Sequence, residues 1–231
     1  MRDLGVTTVG YRFTEDFRRA LRIPPPATLA LFLTTVAVFI GQVLGDGWQQ
    51  AAGLIPANIA GLSSIEQIIP APMTLFSYQF LHSGAGHLLA NMMCLWVFGI
   101  LAEPLMGTRR FALTYLAFGV VTGLVIVALI PHWPRPMVGA SGSLSGVLGT
   151  VLALRFSESK GRRRTGVMFI EAVPLLALGV WLFTRSAPPE PDRVSSVAWH
   201  LIPFLLAWYS TRIRTWFLKT KGPPADHVIV G

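Results

Sequence analysis

The sequence is short of charge, of acidic groups and of cysteine. Only 13% of its 231 residues are charged, where a soluble domain of this size carries about a quarter. That is too little to cover a water-facing surface, so a soluble globular domain is excluded. The single cysteine, Cys94, lies inside an apolar run, which leaves neither a disulfide framework nor a cysteine-based metal centre. No H-E-x-x-H occurs, so the helix motif of a zinc protease is missing. Acidic residues number 11 against 19 basic ones, a net charge of +8. The basic residues cluster in short segments between apolar runs, a pattern that encodes membrane orientation rather than a nucleic-acid surface. No nucleic-acid partner is expected.

What is present is apolar sequence, 52% of the chain. Runs at about 27–44, 86–106, 111–130, 139–155, 167–185 and 194–211 approach the roughly 20 residues that a bilayer-spanning helix needs. The expected fold class is an all-α membrane protein, a six-transmembrane-helix bundle. The expected organisation is a cytoplasmic segment over 1–26, the membrane domain over 27–213 and a disordered cytoplasmic tail over 214–231. The first 22 residues are mixed and charged, so no cleavable signal peptide is expected. The first loop, Gly45 to Ala85, carries Trp48, Leu54, Ile55, Ile59, Leu62, Ile65, Ile68 and Ile69. A free loop is more polar, and this one is expected to be membrane-associated and packed on the bundle.

Charge sets the direction. Sixteen of the 19 basic residues fall on one side of the six spans, in the segments holding Arg2 to Arg22, Arg109 and Arg110, Arg155 to Arg164, and Arg212 to Lys221. Arg135, Arg185 and Arg193 fall on the other. Both termini are therefore expected in the cytoplasm and the long first loop outside.

Polar groups at membrane depth are costly unless satisfied, so each one needs a reason. His87 and Asn91, four apart, share a helix face near the outer end of the second span. His200 lies about seven residues into the sixth span, roughly 10 Å below its outer end. Ser141 opens the fourth span within VGASGSLSGVLG, Val138 to Gly149. On the residues alone this stretch has two readings. Gly142 and Gly146, four apart, suit close helix packing; alternatively, one of its serines does chemistry at the depth shared with His87, Asn91 and His200. No predicted span contains an aspartate, which excludes an intramembrane aspartyl pair.

Phe80 to Gly99, FLHSGAGHLLANMMCLWVFG, resembles the second-helix signature of the rhomboid family of intramembrane serine proteases, a histidine, then H-x-x-x-N, then L-W-x-F-G. Gly139 to Gly142, GASG, resembles that family's G-x-S-G. Glu103, Gly107 and Arg109 match its E-x-x-x-G-x-R, and AWHL supplies a late-helix histidine. The resemblance implies a serine endopeptidase with a Ser141–His200 dyad and no acidic third member. It implies oxyanion stabilisation by His87, Asn91 and the Ser141 backbone N–H, with His82, Gly139 and Gly142 in support. It implies single-span membrane proteins as substrates, cut within the lipid bilayer, and a fifth span acting as lateral gate, with SAPPEPD as a cap. No cofactor and no metal is expected, and a bacterial inner membrane suits the short basic N-terminus.

Four positions depart from the family pattern. Ser145 stands where an aromatic residue commonly stacks on the histidine. Trp199 precedes the histidine, and Pro203 and Ala207 stand where glycines are common. Pro203 removes a helix hydrogen bond beside His200. A binding-only relative of the proteases is the alternative, and a transporter or a haem protein using His87 and His200 is a more distant one.

Overall fold

The computed structural model describes residues 24–158 and 193–221. The segment before residue 24, the expected fifth span with its SAPPEPD loop, the tail beyond Lys221 and the side chain of Trp199 lie outside the described residues.

Helix α1 (Pro26–Leu44) opens on the proline run that leads into it, and proline suits a first turn because the N–H it lacks has no helical acceptor there. Three short helices follow, α2 (Trp48–Ala52), α3 (Pro56–Ile59) and α4 (Ala71–Ser77), and then a 3-10 turn at Tyr78–Phe80. The long helices α5 (Ala85–Met106) and α6 (Thr108–Leu129) are separated by Gly107 alone. Its φ of 80° is a conformation that glycine adopts without strain. Then come α7 (Ser141–Glu158) and α8 (Arg193–Lys221).

By length and composition α1, α5 and α6 can cross a membrane, and α7 has a shorter apolar stretch, Ser141–Leu154. Large apolar side chains point outward on these helices, among them Leu33, Ile40, Leu89, Leu113 and Leu124. Lipid is the solvent that such faces suit. This is an integral membrane protein. Helix α8 covers the expected sixth span but continues to Lys221, so Arg214–Lys221 forms its last two turns and not part of a disordered tail. No breaker interrupts TRIRTWFLK, and Gly222-Pro223-Pro224 comes only afterwards.

Helix α7 is central, packing on α5, α6 and α8. Leu144, Val147, Leu148, Val151 and Leu152 join Leu95, Phe98, Phe111 and Tyr115 in the main core. Between lipid-facing helices there is no hydrophobic drive to associate, so close van der Waals approach decides the contact. The glycines of α7 supply it. A Cβ on Gly142 would overlap Thr122, one on Gly146 would overlap Phe118, and one on Gly149 would overlap the Phe204 carbonyl. The close-packing reading of this stretch holds for all three glycines.

The first loop divides its apolar residues. Leu54 and Ile55 are fully buried, and Leu54 packs with Tyr78 and Ile126 in a second cluster. Leu62, Ile68, Met73 and Phe76 remain exposed.

Glu103 is 3% exposed and joins α5 to the start of α1. Its carboxylate accepts the Ala27 N–H at 3.0 Å, the Thr28 N–H at 2.8 Å and the Thr28 hydroxyl at 2.8 Å. A negative group at a helix N-terminus satisfies first-turn donors and complements the dipole. One turn earlier, Gly99 makes room for Thr28, which a Cβ there would overlap. Replacing Glu103 by Ala strands two buried backbone donors and is expected to cost about 2–4 kcal/mol, with Glu103→Gln costing about half as much. Thermal unfolding in detergent checks both values.

Candidate active site

Ser141 is the first residue of α7, where first-turn N–H groups have no acceptor within the helix. Two residues earlier Gly139 has a φ of 127°, far from the conformations of other residues. A Cβ there would sit 2.7 Å from His87 Cε1, 2.9 Å from His87 Nε2 and 3.9 Å from Asn91 Nδ2. The glycine thus lets the chain turn into α7 while lying directly against the two polar residues of α5.

From α8, His200 Nε2 lies 2.7 Å from Ser141 Oγ. This is the distance of a good hydrogen bond to a hydroxyl. Pro203 does not disturb it. Helix α8 runs unbroken through Pro203, three residues past His200. Ser145 takes no stacking role; its hydroxyl donates to the Ser141 carbonyl at 2.9 Å.

The oxyanion candidates lie beside this pair. Asn91 is 5% exposed, and its Nδ2 donates one hydrogen to the His87 carbonyl at 3.2 Å; a side-chain amide has a second. His87 Nδ1 lies 3.0 Å from Ser83 Oγ. With Ser83 as donor to Nδ1, the ring proton sits on Nε2, the atom facing Gly139. Ser141, His200, His87, Asn91 and Gly139 therefore gather at one end of the helices. Gly142 faces Thr122 and serves packing.

His82 sits behind this group. Its ring is fully buried and meets His87 edge-on at 5.0 Å between centroids, and neither ring nitrogen has a hydrogen-bond partner. Its backbone is held from both sides. The His82 N–H donates to Gln42 Oε1 at 3.0 Å, and its carbonyl accepts from Gln42 Nε2 at 3.0 Å and Gln49 Nε2 at 3.2 Å. Burial, with the neighbouring His87 adding to it, pushes the His82 imidazole down to about 3. A cavity of about 520 Å³ opens beside it, lined by Gln42, Gln49, His82 and Ser83.

Sequence reasoning missed Ser83, Gln42, Gln49 and the pair Tyr78–Gln79. The Tyr78 hydroxyl donates to the Gly119 carbonyl at 2.7 Å, and the Gly139 N–H donates to the Tyr78 carbonyl at 3.0 Å. Burial, with Tyr115 nearby, raises the Tyr78 phenol far above its ordinary range and keeps it a donor. Gln79 is fully buried and bonds Ser143. The available signal was an uncharged amide inside the apolar run LFSYQFL.

The class that fold and site define is an integral membrane protein with a serine at a helix start in hydrogen-bond contact with a histidine of another helix. The family model described as "Rhomboid domain" matches residues 71–215, more than half of the chain, and the protein belongs to the rhomboid family. It is 35% identical over 99 residues to "Rhomboid protease GluP" of Bacillus subtilis (strain 168), covering 43% of this chain and 19% of that protein. It is 31% identical over 154 residues to "RHOMBOID-like protein 4" of Arabidopsis thaliana, covering 65% and 38%. It is also 39% identical over 74 residues to "Inactive rhomboid protein 1" of Drosophila melanogaster, covering 32% and 5%. The chain spans well under two thirds of the length of these relatives.

Two outcomes are expected. Gly139→Ala, strained at that φ and driven into His87, lowers the reactivity of Ser141 toward a fluorophosphonate by about 100-fold, the scale of a lost oxyanion donor. Because the folded state holds His82 neutral down to about pH 3 while the unfolded chain protonates near 6.5, the unfolded state binds more protons across that window. Stability therefore falls as pH drops from 6.5 towards 3, and His82→Leu flattens that limb in a pH series of unfolding midpoints.

Proposed function

We propose that this rhomboid-family protein is an intramembrane serine protease that hydrolyses peptide bonds in or near the transmembrane segments of single-span membrane proteins. The observation that carries the reading is the 2.7 Å contact between His200 Nε2 and Ser141 Oγ, made across two helices at the start of α7. In the first half-reaction Ser141 Oγ attacks the scissile carbonyl carbon while His200 Nε2 takes the hydroxyl proton. The carbonyl oxygen becomes an oxyanion facing the Ser141 N–H, the Asn91 amide and the His87 ring, donors fixed before the charge develops. Collapse breaks the C–N bond, and His200 passes its proton to the departing amine. Water then attacks the acyl-serine, gives its proton to His200 and releases the carboxylic product as the proton returns to Ser141.

The arrangement of basic residues supports a topology with both termini in the cytoplasm and the site opening outward. The exposed Leu62, Ile68, Met73 and Phe76 of the first loop suit the outer membrane–water interface. The six-helix count, a gating fifth span and a bacterial inner membrane belong to the same reading.

A binding-only role is the alternative, favoured by the 39% identity to an inactive relative. Fluorophosphonate labelling in detergent and in liposomes separates the two. Under the protease reading the wild type labels, and Ser141→Ala and His200→Ala each lose labelling by at least about 1,000-fold. A folded wild type that fails to label gives the binding-only role instead.

A further inference from the structure

The buried dipeptide Tyr78–Gln79 grips the chain on both sides of Ser141, and neither residue takes part in the steps above. Two residues before the serine, the Gly139 N–H donates to the Tyr78 carbonyl at 3.0 Å. Two residues after it, the Ser143 hydroxyl donates to Gln79 Oε1 at 2.9 Å. The direction of the second bond is determined by the first partner of the amide. Gln79 Nε2 donates to the Phe76 carbonyl at 2.9 Å, and a carbonyl only accepts, so the oxygen faces Ser143.

The surroundings leave this grip little play. Gln79 is 0% and Ser143 1% exposed, so water does not compete for either group. Gly119 of α6 provides the space, since a Cβ there would overlap Gln79 Oε1 and sit 2.7 Å from Ser143 Oγ. The Tyr78 hydroxyl anchors the dipeptide to the Gly119 carbonyl at 2.7 Å. Four residues before the serine, Met137 and Leu54 exchange two backbone hydrogen bonds, at 3.0 and 2.7 Å. The first loop thus holds residues 137, 139 and 143, while Ser141 between them is left to His200.

We infer that Gln79, acting through Ser143, is a positioning residue that sets the rotation and height of the first turn of α7 and so aims Ser141 at His200 Nε2 and at the oxyanion donors. The inference rests on the protease reading. A displacement near 1 Å costs about 100-fold when reacting groups must meet in one geometry, and a single lost tether with the Tyr78–Gly139 bond intact costs less. Chemistry, and not ligand capture, is what the tether controls.

The test compares wild type with Ser143→Ala, Gln79→Met and the double variant Gln79→Met/Ser143→Ala. For each, the limiting rate of phosphonylation, the half-saturating probe concentration and the unfolding midpoint are measured in detergent. Ser143→Ala strands the Gln79 oxygen, and Gln79→Met strands the Ser143 hydroxyl and also takes a donor from the Phe76 carbonyl. Both lower the midpoint, and the double variant, in which neither member of the pair is left stranded, recovers part of the loss and lies above Gln79→Met. The expected result is a limiting rate about 10-fold below wild type in all three, with half-saturation unchanged. The persistence of the slow rate in the partly restabilised double variant is the mark of positioning. A double variant that labels at the wild-type rate overturns the inference, and so does one that fails to fold, since the pair is then only structural. A wild type that does not label overturns the protease reading and this inference together; a wild type that labels beside variants that match it overturns this inference alone.

Discussion

The close approach of α7 to its neighbours is the constraint on which the rest of the structure depends. Gly142, Gly146 and Gly149 remove the side chains that would hold α6 and α8 away. In lipid this matters more than in water, because apolar area gains little by leaving hydrocarbon for a protein interior. Packing at backbone distance is what holds the helices together. It also brings a histidine of α8 within 2.7 Å of a serine of α7, although 59 residues separate them.

The same helix start must satisfy a second demand. Non-helical backbone leading into α7 carries polar groups that need partners, and in a membrane protein only neighbouring protein or an aqueous cavity supplies them. Leu54 and Tyr78 provide those partners for Met137 and Gly139. The first loop is thereby part of the scaffold of the serine and not a mere connection. Glu103 solves the equivalent problem at the other end of α5, where it holds the orphan donors that open α1. In both places a helix start is completed by a residue far away in sequence.

Two of the departures from the family pattern, Pro203 and Ser145, have visible local consequences. Pro203 sits inside a continuous α8 and is buried where the helix passes α7. Ser145, in place of a stacking aromatic, turns back to the Ser141 carbonyl, a bond that serine readily makes within a helix.

Much was legible from residues alone. The apolar runs located α1, α5 and α6 within a few residues, because hydrophobic length is a local property. The spacing of His87 and Asn91 placed them on one face for the same reason, and GASG marked the turn into α7. The end of α8 was misjudged because basic residues signal a membrane boundary without ending a helix; only a breaker does that. Gln79, Ser83, Gln42 and Gln49 carried no period and no motif. The sequence by itself determined which segments are helical and apolar, and which polar side chains they carry inward. The tertiary structure decided that Glu103 caps α1, that Tyr78 and Gln79 bracket Ser141, and that His200 reaches it. Hydrogen bonds between distant segments depend on where rigid helices cross, and that is set by the packing of glycine against side chain, which no single stretch contains.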